Sequence, residues 1–252
     1  MTGRNDTDVK ADIGVGPQSD GDLTSMTMNQ TSSEPALQVD LTDEPSRFEL
    51  DDFLRRAIDV SVAFSAILFI SPLLVVISAL VWLQDGGPPI YAQERMGRGG
   101  KSFKCYKFRS MVIDSRARLE RLLAESPEAR EEWARDHKLR KDPRITGLGG
   151  FLRQSSLDEL PQLFNVLEGA MSLVGPRPIV AAEVRRYGWR IQHYYAVRPG
   201  ITGLWQISGR NDVSYRRRVA LDCAYVKNRS VLMDLKILLG TIPSVLLRKG
   251  SY

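Results

Sequence analysis

Residues 60 to 84 read VSVAFSAILFISPLLVVISALVWLQ, a run of 25 positions without a single charge. As a straight helix this run would be roughly 37 Å long, whereas the hydrocarbon core of a bilayer is only about 30 Å thick. The run is therefore long enough to cross a membrane. Pro72 stands near its middle, has no N–H, and carries a ring that collides with the carbonyl four residues back. We therefore expect the helix to kink or break at Ser71-Pro72.

Basic residues flank the run on both sides, which bears on whether it crosses the membrane. The flanking bases are Arg47, Arg55, Arg56, Arg95, Arg98 and Lys101. Positive charges near a span normally mark its cytoplasmic end, so equal flanks favour neither end for crossing. We predict a re-entrant membrane helix over residues 53–89 that breaks at Ser71-Pro72 and leaves by the side it entered. A kinked single span is the alternative, since proline is tolerated in transmembrane helices.

The chain also divides by charge. Residues 1–52 carry a net charge of −9, whereas residues 53–252 carry +14. The first segment is rich in Ser, Thr, Asp and Gly and poor in aliphatic periodicity, which predicts a disordered acidic arm. The basic remainder predicts an anionic partner, such as a phosphorylated substrate or lipid headgroups. The membrane segment argues against nucleic acid as that partner.

Residues 90–252 are long enough for one compact domain, and the fold class that we predict is α+β, mainly helical, with a small β-hairpin. Ile90–Gln93 and Ser102–Phe108 have the pattern of short strands, and the glycines of residues 97–100 between them predict the hairpin turn.

Two further segments predict helices. The highly charged segment 112–139 has apolar residues at helical spacing and predicts an amphipathic helix or a helix pair interrupted near Pro127. The tail Val231–Leu247 is apolar and holds only Asp234 and Lys236 as charges. It fits a helix on the membrane surface and a buried core helix equally well.

The adjacent carboxylates Asp158 and Glu159 have a structural and a functional interpretation. In the structural one, Ser156-x-x-Glu159 is a capping box at the start of a helix. In the functional one, one carboxylate attacks a phosphorus centre while the other holds Mg²⁺, which takes one or two carboxylates plus substrate phosphates. Phosphoryl transfer also needs cations around the phosphoryl oxygens. The candidate cations are Lys107, Arg109, Arg144, Arg153, Arg177 and Arg198.

Four motifs, in this order, carry a resemblance to a known family. They are Lys107–Met111 (KFRSM), Asp142–Thr146 (DPRIT), Leu157–Leu163 (LDELPQL) and Met171–Pro178 (MSLVGPRP). The chain from Phe53 to Tyr252 resembles the bacterial sugar transferases, the small monotopic polyprenyl-phosphate phosphoglycosyl transferases. Two later segments resemble the branch that begins exopolysaccharide and O-antigen units with a hexose phosphate. These segments are Arg198–Gln206 (RPGITGLWQ) and Lys249–Tyr252 (KGSY).

The resemblance implies a role for each site residue. Asp158 is expected to be the nucleophile and Glu159 the ligand of Mg²⁺, so that both are catalytic and Mg²⁺ is the cofactor. The basic residues of the family match Lys107, Arg153 and Arg177. Together with the other candidate cations, Arg109, Arg144 and Arg198, and with Gln206 of the later motif, they are the substrate-binding residues that we predict. The resemblance also implies that residues 90–252 form a catalytic domain with membrane-associated helices on the cytoplasmic face of the bacterial inner membrane. Long relatives carry additional transmembrane helices and a further domain, so the chain resembles a short form with the acidic arm in their place.

The implied reaction transfers hexose 1-phosphate from a UDP-hexose to undecaprenyl phosphate through a covalent aspartyl-phosphosugar intermediate, with release of UMP. It would be the first membrane step of exopolysaccharide or O-antigen synthesis, and the branch resemblance favours galactose, followed by glucose. The expected partners are UDP-hexose, undecaprenyl phosphate and membrane lipid. The sequence does not decide whether the chain forms a homo-oligomer. The alternative is a non-catalytic membrane scaffold for polysaccharide assembly. The carboxylate pair argues against a scaffold, which does not need both groups.

Overall fold

The computed structural model describes residues 47–136, 139, 142–209 and 213–246. Residues 1–46 of the predicted acidic arm and the motif Lys249–Tyr252 lie outside the described residues. The helices are α1 (Arg47–Asp85), α2 (Ser115–Glu125), α3 (Pro127–Asp136), α4 (Gly147–Gln154), α5 (Gln162–Glu168), α6 (Val184–Tyr187), α7 (Ile191–Tyr195), α8 (Leu204–Ile207), α9 (Tyr215–Asn228) and α10 (Val231–Leu246). The strands are β1 (Ile90–Met96), β2 (Ser102–Phe108), β3 (Ser172–Val174) and β4 (Gly200–Thr202). The predicted α+β class with mainly helical structure is confirmed.

The strands form two separate pairs. Strands β1 and β2 are antiparallel, with Ile90 opposite Phe108 and Met96 opposite Ser102, so the predicted hairpin is confirmed. Its first strand extends to Met96 rather than ending at Gln93. Strands β3 and β4 pair in parallel. The sequence did not predict this second pair, because each of its strands is too short to show an alternating pattern.

The predicted helix pair is confirmed by α2 and α3, which are separated at Ser126. The Ser126 hydroxyl accepts a hydrogen bond from the Ala129 N–H at 3.1 Å and so caps the start of α3. The tail is also helical, and α10 has two different faces. Ile237 is 1% exposed against the domain, whereas Leu232 on the other face is 61% exposed. One face of α10 is therefore buried, as in a core helix, and contact of the exposed face with the membrane surface stays a prediction.

Helix α1 carries the uncharged run, and Pro72 lies inside it. Helical structure continues on both sides of this proline, so the predicted break at Ser71-Pro72 is not observed. A kink without a break stays a prediction. The Ser71 hydroxyl donates a hydrogen bond to the Leu68 carbonyl at 2.9 Å. Such side-chain bonds help satisfy the backbone groups that a proline leaves free in a helix.

Both ends of the uncharged run are attached to the same domain. Before the run, Arg56 donates to the Val166 carbonyl at 2.6 Å, and the Asp59 carboxylate accepts from the Leu173 N–H at 2.9 Å. After the run, the Asp85 carboxylate pairs with the Arg109 guanidinium, with 2.6 Å between Oδ2 and Nη1. Three polar anchors, two before the apolar part of α1 and one after it, therefore hold the helix to the domain.

The apolar part of α1 presents large side chains to its surroundings. The exposed ones include Phe64, Leu68, Phe69, Val75 and Leu83. Among the described residues, α1 is the helix that is long and apolar enough to cross a membrane. An apolar surface of this extent marks a membrane or partner contact in a folded protein.

Helix α4 packs unusually close to the end of β2. A Cβ at Gly149 would lie 2.0 Å from the Ser110 backbone oxygen, so only glycine permits this approach. Thr146 caps the helix by accepting a hydrogen bond from the Gly149 N–H at 2.9 Å. The close packing brings Nε of Arg153 to 2.8 Å from Oγ of Ser110. Gly149 thus positions a basic side chain next to β2.

We predict that Gly149→Ala destabilises the domain, because its Cβ would collide with a backbone oxygen that cannot move aside easily. Overpacking of this kind costs about 1–3 kcal/mol or more, which thermal unfolding of the purified protein in detergent can measure. Gly147→Ala in the same helix is the matched control, since a Cβ there meets nothing within 4 Å. It should be neutral or stabilising by up to about 1 kcal/mol. Equal unfolding temperatures for the two variants would contradict this account of α4.

Candidate active site

The two carboxylates lie in a short 3₁₀ turn, Leu157–Glu159, between α4 and α5. Ser156 enters this turn with a φ of 59°, and it is the one non-glycine residue with a positive φ in the described part of the chain. Its side chain makes no capping bond, and the carboxylate of Glu159 is directed elsewhere. The capping-box interpretation is therefore wrong. A strained backbone of this kind is typical of functional sites.

Glu159 is held by two cations from other segments. Its Oε1 accepts a hydrogen bond from Nζ of Lys107 on β2 at 2.6 Å. The same oxygen accepts from Nη2 of Arg177, in the loop after β3, at 3.2 Å. Burial alone would raise the pKa of Glu159, but the charges and hydrogen bonds of Arg177 and Lys107 outweigh it and lower the pKa to about 2. Glu159 is therefore ionised over the whole physiological range.

Asp158 has a different environment, although it is the neighbouring residue. The residue is 8% exposed, and its Oδ2 lies 3.9 Å from Nζ of Lys107. Within the described residues, no hydrogen bond is donated to its carboxylate. Burial raises the pKa of Asp158 to about 6, against the opposing charge of Lys107 and with the help of the Glu159 carboxylate. The pKa values of the two adjacent carboxyl groups are thus shifted in opposite directions, which is typical of acids with separate roles.

Three more of the predicted cations line the same cavity as the carboxylates. Arg153 is anchored by Ser110 and close enough to Asp158 for their charges to interact. Arg144 pairs with Asp142, with 2.6 Å between Nη2 and Oδ2. Arg109 also lines the cavity, but its guanidinium is bound by Asp85 at the end of α1. Arg153 is therefore the best placed of the three for a substrate near Asp158.

The structure does not bring Arg198 into this cavity. Its Nε donates a hydrogen bond to the Gly169 carbonyl at 2.9 Å. It lines a separate small hollow together with Arg56 and Asp59. The hydrogen bond of Arg198 thus fixes the chain just after α5. The geometry does not support the predicted substrate-binding role of Arg198.

The cavity has a volume of about 1250 Å³ and extends well beyond the carboxylates. Gln206, a predicted substrate-binding residue, is among the residues that line it. Trp205, Tyr215 and Arg218 also line it and were not predicted as site residues. Trp205 lies within a quoted motif, whereas Arg218 belongs to a run of three arginines that resembles an ordinary solvated face. No spacing in the sequence connects these residues to Asp158.

The donor chemistry of the carboxylate pair fits a Mg²⁺ ion. Lys107 and Arg177 both contact Oε1 of Glu159, and within the described residues no hydrogen bond involves its Oε2. That oxygen is therefore available to a metal. The described residues contain no cluster of three or more His, Cys, Asp or Glu side chains suited to a metal. A Mg²⁺ ion here would depend on substrate phosphates for further ligands.

Comparison with known proteins gives three informative relatives. The chain is 53% identical over 200 residues to an undecaprenyl-phosphate galactose phosphotransferase of Salmonella typhimurium, covering 79% of this chain and 42% of the relative. It is 51% identical over 198 residues to the exopolysaccharide production protein ExoY of Rhizobium meliloti, covering 79% and 88%. It is 38% identical over 207 residues to a UDP-glucose:undecaprenyl-phosphate glucose-1-phosphate transferase of Escherichia coli, covering 79% and 41%.

The chain thus spans less than half of the length of the Salmonella and Escherichia relatives. The family profile described as bacterial sugar transferase matches residues 50–248, which include nearly all of α1, both strand pairs and the carboxylate pair. The resemblance read from the four motifs is confirmed by this match, and the chain belongs to the bacterial sugar transferase family.

Proposed function

We propose that the protein transfers hexose 1-phosphate from a UDP-hexose to undecaprenyl phosphate and releases UMP. The observation that carries the proposal is the contrast within the carboxylate pair: Asp158 is buried without a hydrogen bond among the described residues, and Glu159 is fixed by two cations. The Salmonella relative is named for galactose and the Escherichia relative for glucose, so both sugars are candidates. The name of the Rhizobium relative supports a place in exopolysaccharide synthesis.

The reaction takes place in two displacements at one phosphorus atom. A carboxylate oxygen of Asp158 forms a bond to the β-phosphorus, while the bond from that phosphorus to the bridging oxygen breaks and UMP leaves with the electron pair. A phosphate oxygen of undecaprenyl phosphate then attacks the same phosphorus and releases the Asp158 carboxylate. Lys107, Arg153 and Arg177 neutralise the charge on the phosphoryl oxygens, which is the main task of a protein in such transfers.

Glu159 would hold Mg²⁺ in this scheme, through the oxygen that Lys107 and Arg177 leave free. When bound, the ion would neutralise charge on the diphosphate of the donor. Lys107 and Arg177 keep Glu159 ionised, and they also fix its position relative to Asp158. The ionised carboxylate is thus prepared for a metal, whereas the buried Asp158 carboxylate is left for attack.

The membrane arrangement that we propose is a re-entrant α1 at the cytoplasmic face of the bacterial inner membrane. The anchors Arg56 and Asp59 before the uncharged run, and Asp85 after it, bind the same domain. A bilayer core between these anchors would separate two parts of one folded domain. A re-entrant helix instead places the cavity at the depth where a lipid phosphate meets a soluble nucleotide.

We predict that Asp158→Asn and Glu159→Gln fail in different ways. Asp158→Asn loses the anionic attacking oxygen, so UMP release should vanish. Glu159→Gln should keep a residual rate that rises with added Mg²⁺, because it weakens the metal site and spares the nucleophile. Mass spectrometry of the wild-type protein after UDP-hexose alone should find a hexose-phosphate adduct on the peptide that carries Asp158. An adduct elsewhere would overturn the assigned roles, and no UMP release by the wild-type protein would favour the scaffold alternative.

We predict that formation of the covalent intermediate depends on the ionisation of Asp158. The raised pKa of about 6 means that the carboxylate is protonated, and cannot attack, below that pH. The rate of UMP release in single turnover at constant Mg²⁺ should therefore rise about tenfold per pH unit below pH 6 and level off above it. The control is nucleotide binding measured at the same pH values. A rate that stays constant between pH 5 and 8 would exclude Asp158 as the titrating nucleophile.

The topology can be tested with single cysteines in a background that lacks Cys105 and Cys223. Leu50→Cys lies before the uncharged run and Arg116→Cys after it, and both positions are exposed. In intact spheroplasts both should resist a membrane-impermeant thiol reagent, and both should react after the membrane is permeabilised. Labelling at residue 50 alone in intact spheroplasts would establish a kinked single span.

A further inference from the structure

The cavity has an apolar edge where it opens to the outside, and we call this edge the apolar rim. It consists of Pro88, Tyr91 and Ile113, which line the cavity and are exposed. Among the large apolar side chains that are exposed in the described part of the chain, Tyr91 and Ile113 are the two that line the cavity. A residue that is both exposed and cavity-lining marks the mouth of a cavity, so the rim is part of the entrance.

The apolar rim lies at the end of the membrane helix. Pro88 stands three positions after the last residue of α1. A Cβ built on Gly87 would lie 2.6 Å from Cδ1 of Ile113, so the Ile113 side chain packs directly on the backbone there. In the last turn of α1, Trp82 and Leu83 are exposed. Tryptophan at the end of a membrane helix is typical of the membrane–water interface. The rim therefore begins where the exposed apolar surface of α1 ends.

The apolar rim also adjoins the reactive groups. Tyr91 stands opposite Lys107 in the hairpin. Directly opposite residues of an antiparallel pair present their side chains on the same face, with Cβ atoms about 4.5–5.5 Å apart. Nζ of Lys107 lies 2.6 Å from Oε1 of Glu159 and 3.9 Å from Oδ2 of Asp158. The side chain of Lys107 thus connects the exposed Tyr91 with the carboxylate pair.

Hydrogen bonds fix the two chain segments that carry the rim. Nε of Arg109 donates to the Pro88 carbonyl at 2.9 Å. The Val112 N–H, one residue before Ile113, donates to the Arg144 carbonyl at 2.9 Å. The apolar surface of the rim is therefore formed before a ligand binds.

The position of the rim indicates a ligand with an anionic head and an apolar chain. Lys107, Arg153 and Arg177 line the same cavity and attract an anion. A lipid phosphate that moves from the membrane surface to Lys107 draws the first units of its chain out of the hydrocarbon core. Exposure of these units to water costs free energy in proportion to their area. An apolar surface between the membrane helix and Lys107 covers them and offsets this cost.

A nucleotide base fits the rim less well. Tyr91 has a ring of the kind that stacks on bases. The side chains of Pro88 and Ile113, however, have no hydrogen-bonding group for the polar edge of a base. The rim also follows directly on Trp82 and Leu83 of the membrane helix, where a soluble nucleotide would displace lipid. The apolar chain of a lipid is the better match to this surface.

We propose that the apolar rim guides the prenyl chain of the acceptor, so that the lipid phosphate reaches Lys107 and the adduct on Asp158 from the end of α1. The inference rests on the proposed function, because it takes the acceptor to be a polyprenyl phosphate. It assigns Pro88, Tyr91 and Ile113 to the isoprene units next to the phosphate. These residues therefore determine the specificity for a lipid acceptor and have no role in donor binding.

The test measures the use of the acceptor separately from that of the donor. Transfer by the full chain in detergent micelles is measured against the mole fraction of undecaprenyl phosphate, with saturating UDP-galactose or UDP-glucose. Ile113→Ser and Tyr91→Thr remove apolar surface from the rim, and each should raise the KM for undecaprenyl phosphate about three- to tenfold. Ile113→Leu keeps an aliphatic side chain of the same size and should restore the KM to within twofold of the wild type.

Single-turnover release of UMP without the acceptor is the second measurement. Its rate should stay within twofold of the wild type in Ile113→Ser and Tyr91→Thr, because this step precedes the arrival of the lipid. A slower release in both variants would assign the rim to the nucleotide and overturn the inference.

The matched control is Ile242→Ser on α10. Ile242 is 58% exposed, against 60% for Ile113, and it does not line the cavity. Its KM for undecaprenyl phosphate should equal that of the wild type. An equal rise in the control and in the rim variants would reflect a general loss of lipid affinity and overturn the inference. Unchanged KM values in both rim variants would overturn it as well.

Photo-cross-linking separates this inference from the proposed function, because it needs no turnover. p-Benzoylphenylalanine at position 113 should form an adduct with undecaprenyl phosphate on irradiation, whereas the same group at position 242 should not. An adduct at position 113 without UMP release by the wild type would support the rim and reject the proposed function. Normal turnover with no adduct at position 113, or with equal adducts at both positions, would overturn the rim alone. Absence of both the adduct and UMP release would reject both.

Discussion

The bond between Glu159 and its two cations connects the parts of the domain that the site needs. Lys107 comes from the hairpin, Glu159 from the 3₁₀ turn and Arg177 from the loop after β3. The side chains of Lys107 and Glu159 are each 19% exposed and that of Arg177 is 36% exposed, so removal of either cation leaves Glu159 paired with the other. The same arrangement gives the two carboxyl groups different pKa values. One interaction therefore supports the fold and creates the chemical difference between Asp158 and Glu159.

Helix α1 imposes the second constraint. Its apolar surface is stable only in contact with lipid or another apolar partner, yet Arg56, Asp59 and Asp85 hold it to the domain at both ends. The cavity includes Arg109, the residue that pairs with Asp85. The membrane segment and the site are thus physically joined, which suits a reaction between a soluble donor and a lipid acceptor.

The sequence predicted those features that depend on local pattern. The hairpin followed from two short strands around a glycine-rich turn, and the division of α2 from α3 followed from Pro127. The pairing of Asp158 and Glu159 and the family motifs predicted a site at these residues, and the structure places both in the cavity beside Lys107 and Arg177. Their catalytic roles stay a prediction. The capping box failed because Ser156 adopts a left-handed conformation and the cations at Lys107 and Arg177 compete for the Glu159 side chain. Such competition is set by tertiary structure and leaves no local signal.

The positions of Trp205 and Arg218 in the cavity were beyond local pattern for the same reason. Trp205 lies on α8 and Arg218 on α9, and their stacking arises only when these helices pack together. The cations beside the carboxylate pair have a chemical logic in the proposed cycle. They lie where the charge on the phosphorus changes during each displacement. Groups that are already fixed in place would keep the phosphorus oriented after UMP leaves, so that the lipid phosphate can attack it.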